Sequence, residues 1–84
     1  MIKLLYFARL REVLGVGEEE FILPEQVTTV KELSEALRMR GDLWQEELSP
    51  LKSYRVAVNQ NLAEMHTPVS DGDEVAFFPP VTGG

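Results

Sequence analysis

The chain has 84 residues, with eight Lys and Arg against fourteen Asp and Glu, for a net charge of −6. That length holds one domain, and a hydrophobic content of 44% supports a modest core and argues against disorder. The acidic balance disfavours nucleic acid and anionic membrane surfaces as partners, and the absence of cysteine removes disulfides, thiolate metal sites and Cys nucleophiles together.

Met1–Ala8 alternates Ile2, Leu4 and Tyr6 with Lys3, Leu5 and Phe7, the spacing of a strand with one fully apolar face and a second partly so. Arg9 and Arg11 break this apolar stretch too early for a signal peptide, whose apolar region runs ~7–15 residues. Leu10, Val13 and Leu14 predict a helical turn or two closed by Gly15. Glu18–Leu23 reads as a second strand ended by Pro24, with Glu18-Glu19-Glu20 as the solvated start of an edge. Thr29 and Glu32 form a capping box that opens the main helix. Its apolar face is Val30, Leu33, Ala36 and Leu37; Lys31, Glu35 and Arg38 point to water, and Gly41 takes the left-handed position after its end. Asp42 caps a short helical piece through Leu48, stopped at Pro50, with Trp44 and Leu48 turned to the core.

Strand spacing then returns. Val56 and Val58 alternate with polar or small neighbours, Asn59-Gln60-Asn61 is a turn, and Leu62-Ala63-Glu64 is a short return strand. Ser70-Asp71-Gly72-Asp73 is a tight turn before a final strand, Glu74–Phe78. The uncharged stretch Val75–Gly84 contains Pro79-Pro80 and falls short of the ~20 residues that span a membrane, so a soluble protein is expected, with the reducing cytoplasm as its location. The order of elements predicts an α+β roll: a mixed sheet crossed by one main helix.

Enzyme chemistry is hard to build from these residues. His66 is the only histidine, has no Cys to join in a metal site, and reads as a loop residue. Asp71, Asp73 and Glu74 lack the further oxygen ligands of a calcium loop and read as turn chemistry. Gly15-Val16-Gly17 lacks the rest of a phosphate-binding fingerprint. No metal site is expected.

The C-terminus, Phe77-Phe78-Pro79-Pro80-Val81-Thr82-Gly83-Gly84, leaves two readings open. One is a frayed end, although such ends are usually polar. The other is a semi-rigid arm: the two prolines fix an extended stem, β-branched Val81 and Thr82 prolong it, and two glycines let the terminal carboxylate enter a narrow slot. Six residues from Pro79 reach about 20 Å at ~3.3–3.6 Å each. A carboxylate becomes electrophilic once ATP converts it to an acyl-adenylate, for which a partner must supply the nucleotide site.

The roll order with a terminal Gly-Gly resembles the ubiquitin-like β-grasp sulfur carriers. Within them, Ala57-Val58-Asn59-Gln60-Asn61-Leu62 and the run from Asp71 to Gly84 are similar to the small subunits of molybdopterin synthase, as is the opening Met1-Ile2-Lys3 through Phe7-Ala8 with Arg11-Glu12. The likeness is strong at both ends and loose over Glu18–Tyr54. It implies a β-grasp domain over residues 1–78 and an extended tail over 79–84. It also implies a carrier rather than an enzyme in its own right, with most active-site chemistry on a large subunit. An adenylyltransferase of the ubiquitin-activating kind forms the adenylate on Gly84 with ATP, and a sulfur donor converts it to a thiocarboxylate. Pro79, Pro80, Val81, Thr82 and Gly83 thread into the large subunit, and sulfur passes to cyclic pyranopterin monophosphate. The family pairs two small subunits with a dimer of large ones. No bound cofactor is implied beyond the thiocarboxylate. A thiamine-pathway sulfur carrier, a protein modifier joined through Gly84 to lysine, and a plain β-grasp interaction module remain alternatives.

Strand alternation turns Ile2, Leu4 and Tyr6 towards the main helix with Val56, Val58, Val75 and Phe77, and leaves Phe7 and Phe78 on the other face. These two, with Leu62 added from the resemblance and Arg11 nearby, form the expected partner surface. Shielding of these side chains by the Leu10–Leu14 helix or by a loop is the competing expectation.

Overall fold

The computed structural model describes residues 1–80. Its elements are β1 (Ile2–Tyr6), α1 (Ala8–Leu14), β2 (Glu18–Phe21), α2 (Val30–Arg38), α3 (Asp42–Glu47), β3 (Arg55–Val58), β4 (Asn61–Ala63) and β5 (Glu74–Phe78). The strands form one sheet in the order β2-β1-β5-β3-β4. β1 and β5 run parallel, with Leu4 opposite Val75 and Tyr6 opposite Phe77, while the other neighbours are antiparallel. β5, last in the chain, therefore lies at the centre of the sheet. This is the ubiquitin-like β-grasp, the α+β roll expected from the element order.

The two periodicities meet in one core. Ile2, Leu4 and Tyr6 from β1, Val56 from β3, and Val75 and Phe77 from β5 face Val30, Leu33 and Leu37 of α2, all nearly or wholly buried. Each such aliphatic side chain contributes roughly 1.5–3 kcal/mol of transfer free energy. Leu48, after α3, and Leu10 of α1 close the end of this layer. The α2 N-terminus is capped as its sequence predicts: Thr29 Oγ1 accepts from the Glu32 amide at 3.2 Å, and Glu32 reaches back to the Thr28 amide at 2.8 Å. The next two donors are also satisfied, Val30 by the Thr67 carbonyl and Lys31 by that of Met65.

Four expectations change in detail. β2 stops at Phe21 instead of Leu23, because Phe21 already pairs with Ile2 and β1 begins there; Ile22 is exposed. Glu19 is not simply solvated: it accepts from both terminal nitrogens of Arg40, at 2.7 and 2.9 Å, and from the Tyr6 hydroxyl at 3.0 Å. α2 ends on Met39 in the right-handed region, and Gly41, at φ 152°, instead precedes α3 as its N-cap, which places Asp42 inside the first turn. Arg38 is half-buried, its Nη1 donating to the Leu48 carbonyl at 3.0 Å.

The turns follow their residues. Asn59 and Gln60 both adopt positive φ, 51° and 69°, as a two-residue hairpin loop requires, so Asn61 already belongs to β4. The Asn59 side chain then ties this loop to Asp73 and to the Glu74 amide, both at 3.0 Å. Asp73 accepts from the Ser70 amide at 2.8 Å, and Gly72 turns at φ 92°, which is turn geometry.

Candidate functional site

The chain leaves the sheet from its central strand. Phe78 closes β5 opposite Arg55 of β3, and Phe7 lies alongside, its amide donating to the Phe77 carbonyl at 3.1 Å. Pro79 and Pro80 follow, half-buried and outside any helix or strand. Val81, Thr82, Gly83 and Gly84, which carry the expected reactive end, lie outside the described residues.

Around the base of this segment is a cavity of about 110 Å³ bounded by Arg9, Leu10, Glu47, Lys52, Tyr54 and Pro79. Glu47 is only 5% exposed, and its two carboxylate oxygens accept from Nε and Nη2 of Arg9 at 3.3 Å each. A buried carboxylate left without a partner would be costly, so this pair fixes α1 against α3 beside Pro79. Nothing in the sequence singles out Glu47: it sits in a short helix among other polar residues and becomes special only through its neighbour in space.

The sheet face opposite α2 carries an apolar row. Register aligns Leu62 with Ala57, Ala57 with Ala76, and Ala76 with Leu5, one residue from each of four adjacent strands. Three interstrand steps make the row about 14 Å wide. Phe78 and Phe7 flank it at the end where the chain departs. Leu62 is 73% and Phe7 45% exposed, so α1 does not shield Phe7 from solvent; Phe78 is half-buried. Phe7 and Arg11 share a shallow depression of about 380 Å³ with Leu5 and Glu18. The exposed Arg11 guanidinium lies close over Gly17, where an added Cβ would stand 3.0 Å from Nε. Ala8, between the two, takes φ 52°, a left-handed conformation that costs a residue with a Cβ roughly 1–2 kcal/mol. The bend at the end of β1 is therefore held by the surrounding structure, a feature absent from the alternation pattern.

The site is anchored from the other side of the sheet. Burial, reinforced by the Glu19 carboxylate, pushes the Tyr6 phenol up, so it stays a neutral donor. The Arg40 hydrogen bonds hold Glu19 below the usual carboxylate range. Arg40 also lies over the Trp44 ring, 4.6 Å from its centroid, and Trp44 meets Tyr6 edge-on at 5.5 Å. The result is a brace from edge strand β2 through Tyr6 to α3. His66 is distant in role: it is a largely exposed loop residue beside Glu64. Among the described residues no three His, Asp or Glu side chains converge to hold a metal, and no helix is long and apolar enough to cross a membrane.

A β-grasp sheet whose central strand runs into a Pro-Pro-Val-Thr-Gly-Gly end, beside an exposed apolar face, is the architecture of a ubiquitin-like carrier. The chain belongs to the ThiS family, whose profile matches residues 4–84. It is 44% identical over 84 residues to the molybdopterin synthase sulfur carrier subunit of Escherichia coli K12, covering 100% of both chains. Among solved structures, a putative molybdopterin converting factor subunit 1 from Pyrococcus furiosus superposes with a TM-score of 0.78 at 36% identity, over 95% of this chain and 97% of that one. A chain from the complex of subunits 1 and 2 of the molybdopterin-converting factor of Helicobacter pylori matches with a TM-score of 0.64 at 27% identity, over 99% and 97% of the two chains.

Proposed function

We propose that this chain is the sulfur-carrying small subunit of a molybdopterin synthase, with residues 1–78 as its body and 79–84 as the arm that enters the large subunit. The observation that carries this reading is the arm's origin: two prolines leave the central strand directly and lead through Val81 and Thr82 to a diglycine end, beside an apolar row whose Leu62 and neighbouring Phe7 are exposed. Gly84 supplies the reacting group. In the nucleotide site of an adenylyltransferase of the ubiquitin-activating kind, a carboxylate oxygen attacks the α-phosphorus of ATP and pyrophosphate leaves. Sulfur at the sulfide level, as hydrosulfide, then attacks the acyl carbon, AMP departs with the C–O bonding pair, and loss of the S–H proton leaves a thiocarboxylate. In the large subunit this sulfur passes to cyclic pyranopterin monophosphate. The chain contributes the acyl group and its delivery, while the side chains that move protons belong to the large subunit. Pro79 and Pro80 keep the stem extended, Val81 and Thr82 prolong it, and Gly83 and Gly84 fit a channel that closes around the backbone. Phe7, Arg11, Leu62 and Phe78 form the contact with the large subunit, the rings and Leu62 by apolar burial and Arg11 by pairing with a carboxylate there.

Intact mass after incubation with the activating partner, ATP and a sulfur donor tests the reading. Exchange of one carboxylate oxygen for sulfur adds about 16 Da at the single acyl group able to carry it. Deleting Gly84 abolishes this gain and molybdopterin formation while leaving the melting curve unchanged. A truncated chain that still supports synthesis refutes the proposal.

A further inference from the structure

On the helix-covered side of the molecule, away from the apolar row, α2 and the segment leading into β3 enclose a groove of about 340 Å³. Lys31, Arg38 and Lys52 line it, with Pro50, Tyr54 and Met65 supplying apolar surface between them. This concentration of positive charge is unusual in a chain of net charge −6. Among the described residues, Lys3, Arg9 and Arg40 are neutralised by Glu18, Glu47 and Glu19. Lys31, Arg38 and Lys52 have no such carboxylate, although Glu35 also lines the groove. Arg38 is held in place: its Nη1 donates to the Leu48 carbonyl at 3.0 Å and to Ser34 Oγ at 3.4 Å. The Tyr54 hydroxyl donates to the same Leu48 carbonyl at 3.3 Å, which fixes the groove's wall. One cation is thus preorganised, and two long exposed lysines are free to close on a ligand.

We propose that this groove docks an acidic peptide segment of a partner protein, with carboxylates on the three cations and an aliphatic side chain between Pro50 and Met65. Charge complementarity selects the occupant: the groove offers three cations against a single carboxylate, and its apolar surface rewards a chain over a bare anion. Because α2 covers one side of the sheet and Leu62, Ala57, Ala76 and Leu5 lie on the other, an acidic segment can be held while the apolar face is occupied. The inference does not depend on the sulfur-carrier reading, since it rests on the body of the molecule.

The test uses the full chain and a fluorescein-labelled, end-blocked peptide, Glu-Glu-Leu-Glu-Glu, with its glutamine counterpart, read by anisotropy and by amide chemical shifts. The glutamate peptide binds at low salt, shifts the amides around Lys31, Arg38 and Lys52, and is released near 1 M salt, where screening acts over about 3 Å. Lys31→Glu with Lys52→Glu weakens binding at least tenfold, about 1.4 kcal/mol. Glu35→Gln strengthens it about twofold by removing a like charge, a gain that misfolding cannot mimic. Equal binding of the glutamine peptide, or indifference to the double charge reversal, overturns the proposal. So does a chain with its C-terminus amidated that binds the peptide at least tenfold more tightly, since the groove would then belong to the chain's own terminal carboxylate.

Discussion

Leu62→Ala separates a partner surface from a core most cleanly. Leu62 lies on the three-residue strand β4 and remains 73% exposed, opposite Ala57 in the apolar row. Full burial of a leucine is worth roughly 1.5–3 kcal/mol. With about three-quarters of the residue still open to solvent, cover by a partner gains about 1–2 kcal/mol, a factor of roughly 5–30 in Kd. The free chain stands to lose only the remaining quarter, about 0.5 kcal/mol, or roughly 2–4 °C in Tm for a domain of this size. Titration calorimetry of the variant against the large synthase subunit, with melting curves alongside, measures both quantities. Leu62→Glu sharpens the contrast, since a carboxylate is tolerated in water but not on an apolar contact. An unchanged Kd for both variants places the contact elsewhere and refutes the assignment of this face.

Phe7→Ala and Phe78→Ala weaken the same association at least tenfold, about 1.4 kcal/mol; for Phe7 the 45% left exposed, on a ring that buries ~150–250 Å², gives about 2 kcal/mol at ~25 cal/mol per Å², and an unaltered affinity well below Tm removes that ring from the partner surface. Glu19→Gln lowers stability by about 1 kcal/mol at neutral pH, allowing for side chains that are 22% and 31% exposed in the Arg40 pair. Arg40 depresses the Glu19 pKa on folding, so this contribution is complete above the ordinary carboxylate value near pH 4.3 and fades as pH falls through the depressed one. Urea titrations of both proteins from pH 7 to pH 2 should show the gap closing, and a gap that persists at pH 2 excludes the charge as its origin. Thr29→Ala removes its side-chain cap from α2 and costs about 1 kcal/mol in the same assay; a loss below about 0.3 kcal/mol would mean that Glu32 and the Thr67 and Met65 carbonyls hold that terminus without it.

Much of this molecule is written locally. Alternation in Ile2–Tyr6 and Glu74–Phe78 specifies strands and their buried faces, because side chains along a strand point to opposite sides by geometry alone. The Thr29–Glu32 pair and the apolar stripe from Val30 to Leu37 specify the helix that covers one face. The diglycine end, with its two prolines and its lack of charged side chains, stands out in the sequence because that pattern is local and needs no spatial neighbours to be seen.

Tertiary structure decided what depends on which elements become neighbours. The placement of β5 between β1 and β3 puts the arm's origin at the centre of the sheet, and no local pattern encodes that order. The end of β2 was set by where β1 begins, and Gly41, which by sequence closes α2, opens α3 while α2 ends on Met39. Glu19, an ordinary edge carboxylate by sequence, gained its role from Arg40, 21 residues away. Glu47 gained its own from Arg9, 38 residues away. Charged side chains declare their type in the sequence, but whether one is solvated, paired or left to line a groove depends on the distance to its partner, which folding alone creates.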